Sequence, residues 1–287
     1  MATEKYQALR AVLETGSFSQ AAVKLGYAQS SISRMVADLE KDWGVRVLNR
    51  SRDGITLTDE GERIVPAMLR LCAVDDDLTA CVADVNGLAT GMLRIGAISS
   101  VATHWISRMI AAFHDDYPGV TCELLMGNYT EIETWIRDGR VDCGFVRLPA
   151  ATGLELIPVA DDPLYAILPK NHPLTVKNTV SAADLVAYPF IELRENDDVE
   201  DAGIFDGLAN RPEPVVSTWD DYCVMAMVEK GVGVSVLPGL IQERTSYEIE
   251  RRPLNPPAVR HLAFAKRGDG YTPLAVHRFE EYLDLIP

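Results

Sequence analysis

Apolar positions near the start of the chain recur at helical spacing. Tyr6, Leu9 and Leu13 share one face of a segment that predicts a helix from Glu4 to about Thr15. Gly16-Ser17 ends it, and Ser17 suits the N-cap of a second helix that carries Phe18, Ala21, Ala22 and Leu25 and stops at Gly26. A third helix is expected from about Gln29 to Lys41. On it Ile32, Met35, Val36 and Leu39 cluster on one side, and Ser30, Ser33, Arg34 and Ala37 on the other, with Gln29 at the leading edge. The spacing of Ala22, Gly26 and Ile32 is that of a helix-turn-helix. A small residue lets two helices approach, glycine tolerates the turn, and a branched apolar residue fills the angle. A solvent-facing set of small hydroxyls, a glutamine and an arginine suits a helix entering the major groove; an ordinary polar helix face has a similar composition.

Val45–Leu48 and Gly54–Leu57 read as two short strands joined by a turn over 50–54, a hairpin wing with Arg50 and Arg52 at its tip, where they would meet phosphates. Thr58 then caps a long helix that opens on Asp59-Glu60, acids at its positive end. Along it Ile64, Met68, Leu71, Leu78, Cys81 or Val82, Val85 and Leu88 approximate a 3-4 apolar repeat interrupted at Asp75. The repeat predicts a two-helix dimer seam, with packing on the helix's own domain as the rival reading. Pro66 is expected to kink the helix, and Asp75-Asp76-Asp77 to form a solvated bend and no metal site.

Beyond Gly91 the period changes. Leu93–Ile98, Val120–Met126 and Val141–Val146 read as strands alternating with helices over about 102–116 and 129–137, a parallel sheet covered by helices. Leu164–Leu168, Phe190–Leu193, Val215–Trp219, a buried strand within Gly231–Pro238, and Leu262–Ala265 continue the pattern before a last helix from about Pro273 to Leu285.

Composition narrows the classes. Apolar residues make up 47% and charged residues 24%, the mix of a globular protein. The N-terminus lacks a basic stretch followed by an apolar run, no segment approaches the roughly 20 apolar residues of a membrane span, and the five cysteines are scattered without a CxxC pair. A cytoplasmic protein with reduced thiols and no membrane partner is expected. The net charge of −15 runs against a nucleic-acid partner until its distribution is considered. Residues 1–58 hold eight basic against six acidic side chains, a net of +2; residues 59–90 carry −5 and the remainder −12. Catalytic signals are missing. Gly231-Val-Gly233 lacks the third glycine of a dinucleotide loop, Gly233-Val-Ser235 lacks the closing glycine of a nucleophile elbow, and the five histidines show no close metal-ligand spacing. Neither an enzyme nor a cofactor or metal site is expected.

The run from Ser17 to Gly61 resembles the DNA-binding domain of LysR-type transcriptional regulators almost throughout. The resemblance rests on Ala21-Ala22, Gln29-Ser30-Ser31-Ile32-Ser33, Leu39-Glu40, Arg50 and Leu57-Thr58 with Gly61; Leu48 stands where an aromatic is usual. Leu168–Leu174 and Gly231–Pro238 resemble the family's effector domain more loosely. The resemblance implies an α+β chain: a winged helix-turn-helix (1–58), a linker and dimerisation helix (59–90), and a two-lobed α/β effector domain (91–287) of the type 2 periplasmic-binding-protein fold. Its lobes would be 91–161 with 266–287, and 162–265. It further implies a double-stranded DNA partner, a homodimer or homotetramer, RNA polymerase as a partner where the effect is activation, and a small-molecule effector between the lobes. The DNA-facing candidates are Gln29, Ser30, Ser31, Ser33, Arg34, Arg50 and Arg52.

Ligands of such folds sit at the carboxyl ends of the strands. That selects Ser99, Ser100, Asn128 and Arg147 in one lobe and Arg194 and Trp219 in the other. Each has a plainer role: a serine as a helix cap, Arg147 paired with a local acid such as Glu131 or Glu133, Trp219 in a core. A cation after a buried strand, beside two serines, points to a small organic acid as effector. The competing reading, a ligand-binding protein or enzyme on the same fold without DNA binding, leaves the winged helix-turn-helix unexplained.

Overall fold

The helix-turn-helix closes on alanine and glycine. Helix α1 (Ala2–Thr15) packs on α2 (Phe18–Leu25) and α3 (Gln29–Trp43) through Ala8, Leu9, Val12, Ala21, Ile32, Val36 and Leu39, all buried. The Ser17 hydroxyl accepts from Gln20 N at 3.4 Å, and Gly26, at φ +71°, lets its own N–H reach back to close α2. The computed structural model describes residues 2–51, 54–85, 91–195, 198–199, 203–206, 208, 211–243 and 245–287.

The wing differs in register from the expectation. Its strands are β1 (Leu48–Ser51) and β2 (Gly54–Leu57), antiparallel with Leu48 opposite Leu57, so β1 starts where the sequence reading ended it. Residues 45–47 are instead drawn onto α3, where the Glu40 carboxylate accepts from Val47 N at 2.8 Å and Leu48 N at 3.2 Å. Thr58 bonds Arg46 O and accepts from Gly61 N, and a Cβ at residue 61 would stand 2.4 Å from Val47 O. The threonine and glycine of that motif therefore fasten the wing to the start of α4 (Asp59–Val85).

Helix α4 runs through both Pro66 and the acidic run. Val65 and Met68 complete the first core. Asp75–Asp77 are not a solvated bend. Asp75 accepts from Gln7 (3.4 Å), Asp76 pairs with Arg10 (2.7 Å) and Arg94 (3.4 Å), and Asp77 pairs with Arg267 (2.6 Å). Charge that sequence reading assigned to solvent instead joins α4 to the elements on either side.

The rest of the chain is built on one mixed sheet in the order β10-β6-β12-β5-β3-β4, with β11 also on β6. Its strands are β3 (Gly91–Ala97), β4 (Val120–Met126), β5 (Cys143–Leu148), β6 (Leu154–Pro169), β10 (Ser235–Pro238), β11 (Ile249–Pro253) and β12 (Val259–Arg267). Strand β3 is parallel to β4 and β5, as the alternation predicts. A continuous helical stretch over 99–116, consisting of α5 (Ser99–Val101), a π-helical turn and α6 (Ser107–Asp116), covers the sheet with α7 (Tyr129–Arg137) and α10 (Leu274–Glu280). Their shared core holds Ile95, Ile106, Phe113, Phe145, Phe264 and Phe279.

A second assembly holds α8 (Ala182–Leu185), β7 (Phe190–Glu195), β8 (Asp198–Val199), β9 (Pro214–Thr218) and α9 (Asp221–Glu229), with two smaller cores around Phe190 and Val224. Two strands link the assemblies. Strand β6, 16 residues long, pairs with β12 over 154–163 and with β10 and β11 over 164–169. Sequence reading expected separate short strands at 164–168 and 262–265. Both are longer because each continues from one lobe into the other.

Candidate functional sites: a polar helix face and an interlobe cleft

Helix α3 is buried along Ile32, Val36 and Leu39, which leaves Gln29, Ser30 and Arg34 exposed and Ser31 and Ser33 half-buried on the far side. Its N-cap, Ala28, offers no side-chain acceptor, so the first turn keeps amide donors unspent on a cap. Arg50 is not at the wing tip. It lies within β1 opposite Ile55, with its guanidinium 4.3 Å over the Phe18 ring and 3.5 Å from Ser33 Oγ. The wing thus brings a cation against the polar face of α3. Arg52, and Leu88 of the apolar repeat, lie outside the described residues.

On α4 the apolar repeat divides in two. Met68 is buried in the first core and Ile64 is half-buried. Leu71, Val74, Leu78, Val82 and Val85 are each more than half exposed, at intervals of three and four residues along one stripe. Val74 belongs to that stripe and was not read from the sequence.

Between the lobes lies a cavity of about 620 Å³. Strand β3 delivers Ser99 and Ser100 to it, β4 delivers Asn128, and β7 and β9 deliver Arg194 and Trp219. These five line one space because each sits at or near the carboxyl end of its strand. The loop between β4 and α7 is fixed tightly. Asn128 Oδ1 accepts from Glu131 N (2.8 Å) and Glu131 Oε2 from Asn128 N (3.0 Å), while a Cβ on Gly127 would stand 2.4 Å from the Trp135 ring. Trp219 is 70% exposed, and Asp220 caps α9 through Cys223 N at 2.7 Å. Ser99 Oγ donates to Asp221 at 3.3 Å, a hydrogen bond from one lobe to the other.

Arg147 stands outside the lining of this cavity. It lies inside β5 opposite Leu262, not past the strand end, and its guanidinium stacks on the Tyr129 ring at 4.8 Å. The cation in the wall is Arg260, 4% exposed. It pairs with buried Asp162 at 2.7 Å and donates to Ser100 Oγ (2.9 Å) and Tyr129 OH (3.0 Å). Arg260 and Asp162 face each other across the crossover strands β12 and β6. Sequence reading missed Arg260 because it began this strand at Leu262, and a partner 98 residues away leaves no local signal. Arg194, the second wall cation, is held by buried Glu192 at 3.0 Å. Among the described residues no group of three or more His, Cys, Asp or Glu side chains could hold a metal, and no helix is long and apolar enough to cross a membrane.

Comparison with known proteins agrees with this architecture. Residues 3–62 match the model of the bacterial regulatory helix-turn-helix proteins of the lysR family, and residues 86–285 match that of the LysR substrate binding domain. The chain is 32% identical over 262 residues to a probable HTH-type transcriptional regulator, LrrA, of Synechococcus elongatus, covering 90% of this chain and 88% of that one. It is 30% identical to a probable hydrogen peroxide-inducible genes activator of Mycobacterium leprae, covering 81% of this chain and 76% of the relative. Among solved structures it is similar to a full-length OxyR variant from Pseudomonas aeruginosa, with TM-score 0.77, 23% identity and coverage of 100% and 95%. It is also similar to full-length CbnR complexed with its target DNA, with TM-score 0.65, 22% identity and both chains covered in full. These proteins are regulators and not enzymes, and the chain belongs to the family of LysR-type transcriptional regulators.

Proposed function

We propose that this protein is a cytoplasmic regulator that binds double-stranded DNA through α3 and the wing, and dimerises or tetramerises by way of the α4 stripe. Its grip on DNA is altered by a small organic acid held between the lobes. The domains divide as 1–58, 59–90 and 91–287; the lobes expected at 91–161 with 266–287 and at 162–265 keep their first boundary, while the second falls a few residues earlier, because 261–265 pair with β5 and Phe264 packs in the first core. The observation that carries the reading is α3: one face closes the core while Gln29, Ser30 and Arg34 stand in solvent beside Arg50. Arg34 reads a base edge, and Arg50 fixes the wing against a phosphate. The likeness to CbnR on its target DNA supports the assignment of the partner. Where the effect is activation, RNA polymerase is the further partner.

The effector's carboxylate lies against Ser99 and Ser100, above Arg260, which takes the role that sequence reading gave to Arg147. Asn128, Arg194 and Trp219 complete the lining. The name of the M. leprae relative, a probable hydrogen peroxide-inducible genes activator, offers peroxide as a second reading, which four of the five cysteines disfavour. The reacting form of a sensor cysteine is the thiolate. Burial instead pushes the Cys72 thiol up to about 11 and raises Cys122 and Cys143, and neighbouring Asp220 raises Cys223.

The test is fluorescence anisotropy of the full chain on a duplex from upstream of its own gene. Saturable binding that outcompetes unrelated duplex at equal salt is expected, with a slope against salt set by the wing and α3 cations. Binding that does not distinguish the two duplexes would refute the reading.

A further inference from the structure

The charge of the interlobe cavity does not match an anionic ligand alone. Its wall contains the acids Glu131, Asp220 and Asp221 and the bases Arg194 and Arg260. Each base is already met by a carboxylate from behind the wall, Glu192 for Arg194 and Asp162 for Arg260. Glu131 and Asp220 are treated differently. Glu131 accepts from the backbone amide Asn128 N, and Asp220 from Cys223 N and the neutral Cys223 thiol, and among the described residues no arginine or lysine pairs with either. An amide donor leaves a carboxylate its full charge. The cavity is therefore a negative well, with Glu131 on lobe 1 and Asp220 on lobe 2.

Two aromatic side chains share that well: Trp219, 70% exposed, and Tyr222, 43% exposed. The Trp219 indole stands largely open within the cavity, where a ligand can cover it. The face of an aromatic ring attracts a cation, most strongly tryptophan's. Acids on opposing lobes repel as the lobes approach, and a cation between them converts that repulsion into attraction to both. The carboxylate end of the site, at Ser100 and Arg260, remains compatible with an anion. A single small molecule satisfies both ends when it is zwitterionic.

We propose that the cleft ligand carries a cationic amino group, held by Glu131 and Asp220 against Trp219, and is thus an amino acid in chemical class and not a simple organic acid. This rests on the cleft being the effector site. Binding draws Glu131 and Asp220 towards one ammonium, so that closure of the lobes depends on the ligand's positive charge. The selectivity follows: replacing the amino group by hydroxyl removes the only group that offsets the acids.

The experiment uses the full-length chain in thermal melts and titration calorimetry. The probes are the common L-amino acids, the matched 2-hydroxy acids that lack the amino group, and the matched amines that lack the carboxylate. One or more amino acids should raise the melting temperature, with the matched hydroxy acid binding at least tenfold more weakly. Glu131→Gln and Asp220→Asn, which keep acceptors for the two helix caps, should each weaken that amino acid tenfold or more. A hydroxy acid bound as tightly as its amino acid overturns the proposal while leaving the cleft as the site. So does an absence of any stabilising amino acid or amine. An amine bound as tightly as its amino acid upholds the cationic group and removes the carboxylate from the reading above. Stabilisation that survives Trp219→Ala, Glu131→Gln and Asp220→Asn alike overturns the cleft itself as the effector site.

Discussion

Arg260→Met removes the cation from the buried ion pair on the crossover strands β6 and β12 while keeping a long apolar stem. In the native chain Arg260 and Asp162 are 4% and 5% exposed, 2.7 Å apart, on antiparallel strands that both run between the lobes. The substitution leaves the Asp162 carboxylate with Leu240 N at 3.0 Å and takes one donor each from Ser100 Oγ and Tyr129 OH. Removing one partner of a buried pair costs about 3–5 kcal/mol, because the other charge stays desolvated. Set against the roughly 5–15 kcal/mol that holds a domain together, that is about a fifth of the whole at the least. Neutralising both partners removes the stranded charge, so Arg260→Met with Asp162→Asn should be less destabilised than Arg260→Met alone. Urea unfolding followed by tryptophan fluorescence reads the effector domain through Trp105, Trp135 and Trp219 once Trp43 of α3 is replaced by Phe, and far-UV circular dichroism reports the chain as a whole. Loss of less than about 1 kcal/mol in the single variant, or no recovery in the double, would refute the reasoning that an uncompensated carboxylate is the source of the cost.

Arg34→Ala should weaken specific DNA binding by about 1–3 kcal/mol and relax preference at one position, whereas Arg50→Ala weakens all sequences alike; footprints on a randomised operator pool separate the two. Leu71→Asp with Leu78→Asp places charge on side chains that are 57% and 63% exposed in the monomer, so folding should persist while sedimentation shows monomers or misassembled species. A full-affinity dimer from that variant removes the stripe from the interface. Asp142 is raised above the ordinary carboxylate range by burial, with one oxygen accepting from Arg94 N at 2.7 Å. A carboxyl raised on folding penalises the native state once it ionises, and that penalty is absent below its unfolded pKa. Asp142→Asn should therefore raise the melting temperature at pH 7, with the gain shrinking as pH falls towards about 4 and absent below it, and a variant less stable than wild type at neutral pH would reverse the sign.

What could be read from the sequence was what depends on local spacing. Ser17, Gly26 and the helical periods of α1 to α3 are decided within a few residues, and α4 begins where Thr58 and the acids place it. The positions selected at strand ends converge on one cavity where the strand end was judged correctly, as for Ser99, Asn128 and Trp219. Arg147 shows the limit. The expected strand ended at Val146, the observed one at Leu148, and those two residues keep Arg147 within the sheet. The wing failed in the same way, since a carboxylate on α3 captures 47 and 48 and pushes the ladder towards the tip. Arg260 and the partners of Asp76 and Asp77 could not be read at all, because ion pairs between distant segments have no period.

Asp76 bears on how portable the parts of this chain are. One oxygen of that carboxylate serves Arg10 near the N-terminus and Arg94 on the first strand of the sheet beyond α4, and one turn away Ala73 Cβ stands where a side chain on Gly139 would need to go, at 2.5 Å. A fragment beginning at residue 91 would lose Asp77 as the partner of Arg267 and bare the Gly139 turn. A fragment ending at residue 62 would lose the acids that hold Gln7 and Arg10, and with them Met68 from its core. Grafting another DNA-reading head onto this sensor accordingly means carrying α4 whole and supplying an arginine where Arg10 stands. The helix is a shared wall, and neither room keeps its shape when the other is taken away.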